Sequence, residues 1–235
     1  LTYEEVNRAK SLGGTILGTD RINPYSKENK EAGIPAKIWA NIRKLFLDAQ
    51  ITLGGDDTNS AGANLSKEHD NFPVVGGSKT MDNDLSLPDN AVTYGFQTWV
   101  EYALRLARDL EEEARTLSRI LVVECFGRES GYAPLGVGLG IGAARTLIPE
   151  VNIDFKEIIS DVELYVKRFN HAVVIVSEGI KVNINFGDNK AILEKAFTKD
   201  GEARVAFTKV KKTDAFGNPK LEGAGKIVTA VLSSH

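Results

Sequence analysis

The sequence predicts an α/β fold built on parallel sheets, and three observations carry the prediction. Short apolar runs alternate with longer amphipathic segments along the 235 residues. The amphipathic segments are long enough to cross a sheet face, as parallel strands require. Polar, glycine-bearing motifs fall directly after the apolar runs, at the strand ends where open α/β sheets bind ligands.

The elements follow in order. Leu1 to Leu12 reads as a helix already under way. Thr15 to Gly18 is a short apolar run and is expected to be a strand. Pro35 to Ala49 places Ile38, Ile42, Leu45 and Phe46 on one helical face. Gln50 to Leu53 reads as a strand ending at Gly54-Gly55. Asp57 to Ser66 can then open a helix, with Asp57 or Thr58 as its N-cap. Phe72 to Val75 is a further strand, followed by a polar loop. Asn90 to Leu117 reads as one long helix.

Arg119 to Cys125 (RILVVEC) is the clearest buried strand. Pro134 to Ala144 is glycine-rich and apolar, which predicts a tightly packed helix. Asp154 to Phe169 is amphipathic, and Ala172 to Val176 (AVVIV) is a second buried strand. Val182 to Lys212 is the least regular stretch. Lys226 to Leu232 reads as the interior of an element. The abrupt ends lead us to expect a piece of a longer chain, incomplete at both ends.

Composition narrows the function. Net charge is −3, which gives no basic surface for nucleic acid or an anionic membrane. No apolar stretch has the length of a bilayer span, and no signal-peptide pattern opens the chain. Cys125 is the sole cysteine, so no disulfide forms within the chain, in keeping with a cytoplasmic location.

The chemistry-bearing motifs lie at predicted strand ends. In Gly54-Gly55-Asp56-Asp57-Thr58, paired glycines let the backbone approach a phosphate, and the following helix start offers N–H groups. A carboxylate beside phosphate is repulsive without a divalent metal, so Asp56 reads as a Mg²⁺ ligand, direct or through water. The same residues also suit a tight turn with a helix cap. In Ser78-Lys79-Thr80-Met81-Asp82-Asn83-Asp84, Lys79 can neutralise a phosphate. Asp82 or Asp84 can take a proton from a hydroxyl. Alone, this would be a solvated acidic loop; its pairing with the first motif favours a site.

In Gly127-Arg128-Glu129-Ser130-Gly131, Arg128 can grip a phosphate bidentately, or pair with Glu124 or Glu129. Glu178, in Ser177-Glu178-Gly179, can accept hydrogen bonds from sugar hydroxyls, although the tripeptide alone suits a plain turn. Arg21, in Gly18-Thr19-Asp20-Arg21, can reach a phosphoryl group, although alone it would suit a surface ion pair.

Together GGTILGTDR, GGDDT, SKTMDND, VVECFGRESG and VSEG resemble, in chain order, the signatures of phosphofructokinases. The resemblance runs to about Ile180. Asp214 to Asn218, with Leu221 and Gly223, is similar to a later segment of bacterial pyrophosphate-dependent 6-phosphofructokinases. The resemblance implies two Rossmann-like three-layer α/β/α domains with mainly parallel sheets. A phosphoryl-donor and Mg-binding domain would occupy residues 1–94, and a fructose 6-phosphate-binding domain residues 95–235, both partial.

It also implies roles. Asp56 matches the aspartate that handles Mg²⁺, and Asp82 the base that takes the proton of the sugar 1-hydroxyl. Thr80 would lie near the transferred phosphoryl, and Asp84 near metal or sugar phosphate. Arg21 and Lys79 would stabilise the migrating group. Gly54, Gly55, Asp57, Thr58 and Lys79 would bind the donor. Phe126, Gly127, Arg128 and Glu178 match sugar-binding positions, with Phe126 where Met is usual. Arg119 matches an arginine that reaches a neighbouring subunit's sugar 6-phosphate, which implies a homodimer or homotetramer.

ATP-using relatives usually carry Gly at Asp57, and many carry Gly at Lys79. A carboxylate at residue 57 would repel the α-phosphate of a nucleotide, so pyrophosphate is the expected donor. The alternatives are an ATP-dependent phosphofructokinase, a lipid or NAD kinase, and a non-catalytic regulatory subunit, which would lack Asp82 and Asp84. Three departures stand out: the N-terminal glycine loop and the downstream Gln-Arg-Gly-Gly segment are absent, and Ser78 replaces Pro.

Overall fold

The computed structural model describes residues 2–18, 20, 22–197 and 223–235. Two parallel sheets organise them. The first has the order β1-β2-β3, with β1 at Gln50–Gly54, β2 at Val74–Thr80 and β3 at Tyr94–Gly95. Helices α1 (Tyr3–Ala9), α2 (Lys27–Glu31) and α3 (Ile34–Lys44) precede it, and α4 (Asp56–Glu68) makes the crossover from β1 to β2.

The first core packs one face of this sheet. Ile38, Trp39 and Ile42 of α3 meet Leu65 of α4, Phe72 and Val74. Because alternate strand residues point to opposite faces, Ile51, Leu53 and Val75 lie on the other face, where they are exposed.

The second sheet has the order β4-β6-β5, from β4 (Ile120–Cys125), β5 (Arg145–Leu147) and β6 (Ala172–Ser177). Its helices are α5 (Phe96–Leu117), α6 (Tyr132–Ile141), α7 (Phe155–Phe169), α8 (Asn189–Phe197) and α9 (Ala224–Ser233). β6 is the centre and is buried along its whole length. Val173 and Ile175 pack with Ala107, Ala114 and Val137 of α5 and α6. Ala172, Val174 and Val176 pack with α7 and α9 through Ile158, Val162 and Val228. The result is a three-layer α/β/α unit.

Several expectations are corrected. Thr15 to Gly18 forms no strand: Gly14 and Gly18 take φ of 82° and 81°, which break an extended run, and Leu17 is 76% exposed. RILVVEC is not the most buried strand. Among the described residues β4 pairs with β6 alone, and Ile120 at its start is exposed. β2 continues past Val75 to Thr80, so Lys79 and Thr80 end a strand rather than sit in a loop. The long helix starts at Phe96, because Gly95 turns the chain at φ 98° and Pro88–Asn90 forms a separate 3₁₀ turn. α8 lies inside the stretch expected to be irregular, and the short β5 had no clear apolar run to announce it. Among the described residues no helix is long and apolar enough to cross a membrane.

Candidate functional site

The site is built where β1, β2, β4 and β6 end. β1 stops at Gly54, and α4 begins two residues later at Asp56, with Gly55 as its N-cap. Asp57 and Thr58, the expected N-cap candidates, do not cap the helix. Asp56 and Asp57 instead occupy its first turn, where the positive end of the helix dipole favours carboxylates. Gly54 is required by packing: a Cβ there would lie 2.5 Å from the Thr58 side chain. Asp56 accepts a hydrogen bond from Ser60 Oγ at 3.4 Å.

β2 runs beside β1 with Gly54 opposite Ser78, so the second motif starts alongside the first. A Cβ on Gly55 would sit 3.8 Å from the Thr80 side chain. Lys79 is exposed and pairs in register with Tyr94 of β3. The turn after Thr80 is held from several sides. Asp82 N–H donates to Thr80 Oγ1 at 3.2 Å. Buried Thr93 donates its hydroxyl to Thr80 O at 2.7 Å and its N–H to Asn83 Oδ1 at 2.9 Å. Asn83 takes φ of 52°, which an asparagine tolerates better than most residues.

The loop after β4 folds back on the end of β6. Glu178 N–H donates to Cys125 O at 2.9 Å and Gly179 N–H to Gly127 O at 3.2 Å. Ser177 Oγ also donates to Gly127 O. Gly127, at φ 146°, would bring a Cβ to 2.7 Å from Ser130 O. The start of α6 is tied down by Glu150, which accepts from Gly131 N–H at 2.7 Å.

The two sheets' loops meet at Ser130, whose hydroxyl donates to the Asp82 carbonyl at 2.7 Å across 48 residues of sequence. Electrostatics shows the same convergence. Burial pushes the half-buried Asp82 carboxyl above its ordinary range, with Asp84 adding to the rise and Arg128 opposing it. Burial also raises Glu178. A hydrogen bond from the Gly127 backbone and the Arg128 charge oppose that rise, while Asp82 and Glu124 add to it. Asp82, Asp84, Arg128 and Glu178 therefore share one electrostatic neighbourhood, next to the strand ends that carry Asp56 and Lys79.

Not every expected residue joins it. Arg119, expected to reach a neighbouring subunit's sugar phosphate and not this site, precedes β4 at the end opposite Gly127, roughly 20 Å away for a strand of this length. There it pairs with Glu113 at 3.5 Å. Phe126 is exposed and lines a cavity of about 520 Å³ along α5, with Trp99, Tyr102, Leu106 and Glu178. Arg21 and the 214–222 segment lie outside the described residues. Among the described residues no group of three or more His, Cys, Asp or Glu gathers as a metal cage.

Sequence reasoning missed three contributors. Asn59 bonds the Gly54-Gly55 turn, and the one available signal was an Asn four residues after that turn, a residue type that bonds nearby backbone. Thr93 and Glu150 act on loops 13 and 19 residues away, and nothing in their local sequence marks them.

Taken together, the architecture is that of an α/β protein with two parallel sheets and a polar, charged site at the carboxyl ends of its strands, where open α/β sheets bind ligands. Comparison with known families matches residues 1–217 to the family described as Phosphofructokinase. The chain belongs to the phosphofructokinase family. It is 36% identical, over all of its length, to a pyrophosphate–fructose 6-phosphate 1-phosphotransferase of Dictyoglomus thermophilum, of which it spans 61%. It is 37% identical over 74% of its length to an ATP-dependent 6-phosphofructokinase of Mycobacterium tuberculosis, spanning 49% of that protein. In structure it resembles a pyrophosphate-dependent phosphofructokinase of Marinobacter aquaeolei, with TM-score 0.61 and 20% identity, over 76% of this chain and 46% of that one. The structural likeness speaks to the fold.

Proposed function

We propose that this chain carries the catalytic loops of a pyrophosphate-dependent 6-phosphofructokinase. The observation that carries the reading is the neighbourhood of Asp82. This half-buried carboxylate lies in the field of Arg128, its own backbone carbonyl is held by the Ser130 hydroxyl, and it follows the strand that presents Lys79 and Thr80 beside the start of α4. A hydroxyl base, a sugar-phosphate grip and an anion-binding helix start at one edge are what phosphoryl transfer to an alcohol needs.

In this reading Arg128 and Glu178 hold fructose 6-phosphate, with Phe126 and Gly127 shaping the loop. Asp82 removes the proton of the 1-hydroxyl as its oxygen attacks the phosphorus of pyrophosphate. One P–O bond forms, the bridging P–O bond breaks, and phosphate leaves with the electron pair. Thr80 lies beside the transferred group, and Lys79 and Arg21 balance its charge. Asp84 contacts metal or sugar phosphate. Gly54, Gly55 and Thr58 form the donor turn.

The residues present suit Mg²⁺, which takes one or two carboxylates together with substrate phosphates rather than an all-protein cage. Asp56 would hold it, and the ion would supply charge neutralisation. Asp57 in the first turn of α4 would repel a nucleotide α-phosphate, which favours pyrophosphate. The relative named ATP-dependent keeps ATP as the second reading. Arg119, at the far end of β4, would serve a neighbouring subunit in a cytoplasmic homodimer or homotetramer. Residues 1–94 and 95–235 would form the donor and sugar halves.

The test is a coupled assay on the natural full-length protein with fructose 6-phosphate and Mg²⁺, comparing pyrophosphate with ATP. Pyrophosphate should be used and ATP not. Asp82→Ser should lower turnover by about 10²- to 10⁴-fold while sugar binding persists. Turnover above about a tenth of wild type would remove Asp82 from the base role.

A further inference from the structure

Building on the pyrophosphate reading, we propose that Asn59 is a positioning residue for the donor half of the site. Its amide ties the Gly54-Gly55 turn to β2 and so holds the start of α4 against Lys79 and Thr80. Asn59 Nδ2 donates to Gly54 O at 2.9 Å and Gly55 O at 3.1 Å, and reaches Gly77 O at 3.5 Å. Its Oδ1 accepts from the hydroxyl of buried Thr52 at 3.0 Å.

These partners are not scattered. Gly54 and Gly55 form the turn that would face the donor phosphates, and Gly77 lies two residues before Lys79 on the adjacent strand. One planar amide thus spans both donor-binding elements, and the Thr52 hydroxyl sets which way the amide points. The strand makes room for it: a Cβ on Gly76 would come within 2.8 Å of Asn59 Oδ1. An asparagine this early in a helix ordinarily competes for backbone groups within its own turn. Here Asn59 keeps its own helical bond, donating N–H to Gly55 O at 3.2 Å, while its side chain caps the turn before the helix and reaches both strands, to Thr52 and to Gly77.

Small displacements matter because phosphoryl transfer depends on placement; a shift of about 1 Å can cost about a hundredfold in rate. Asn59→Asp keeps the size and the acceptor for Thr52, but turns an oxygen toward three carbonyls. It should raise the KM for pyrophosphate by about tenfold to a hundredfold. The KM for fructose 6-phosphate should stay within about twofold, because that sugar is held by the other sheet's loops. Thr52→Val, which frees the amide to turn, should give the same split more weakly. Equal rises in both KM values, or none in either variant, would overturn the proposal.

Amide hydrogen exchange supplies a readout independent of activity. Exchange at residues 55–57 should quicken in Asn59→Asp while β4 and β6 stay protected, and unchanged exchange there would overturn the tether. An enzyme that used ATP alone would overturn the donor assignment only, and the same KM split would then be sought with ATP.

Discussion

Asp82 stands between opposing influences, and their signs give a pH prediction. A general base works ionised. Burial and Asp84 make ionisation harder, so activity should fall on the acid side at a higher pH than an ordinary carboxylate would give. Arg128 favours the ionised form and holds that limb down. Arg128→Leu should therefore move the acid limb of the kcat profile to higher pH, besides weakening sugar binding. A limb that stayed in place would separate Arg128 from the base. The motif positions were legible because their types suggest the chemistry and they follow apolar runs: an arginine after a strand, a carboxylate after a lysine. The tie from Ser130 to Asp82 was not legible, since a serine hydroxyl bonding a carbonyl 48 residues away leaves no local mark.

Among the elements, α6 shows how packing turns composition into position. Its glycines face two neighbours: Gly136 lies against Val100, Gly140 against Leu104, and Gly138 against Thr146 of β5. A Cβ at Gly138 would fall 1.9 Å from Thr146 Oγ1, on a short side chain with little room to yield, whereas Leu104 can swing away from Gly140. Gly138→Ala should destabilise the fold by about 2 kcal/mol, as overpacking does, and Thr146→Ala in the same chain should recover part of the loss. Urea unfolding of the single and double variants measures both. The glycine-rich stretch announced a close-packed helix, but which glycine faces which neighbour depends on strand order. The same limit explains β4 and β6. Their apolar runs are alike, yet β6 is central and β4 lies at the described edge, because pairing rather than composition decides burial.

At the scale of the whole molecule, the proposed reaction would require two sheets to hold two substrates at one spacing. The first sheet carries the donor turn, Lys79 and Asp82, and the second carries Arg128 and Glu178. The hydroxyl of buried Ser130 links them at the Asp82 carbonyl. Its bond contributes about 1 kcal/mol to stability, so Ser130→Ala should fold and bind each substrate nearly as well as wild type. What it should lose is the fixed distance between base and sugar, a loss felt in the reacting complex and not in either binary one. The expected result is a kcat lowered by about tenfold, with both KM values within about twofold, by steady-state kinetics on the natural protein. This pattern differs from that of the Asn59 variants, where the donor KM moves first. If Ser130→Ala instead raised both KM values and left kcat intact, the hydroxyl would be acting on binding surfaces. The idea that the two halves are coupled through the Asp82 turn would then be lost.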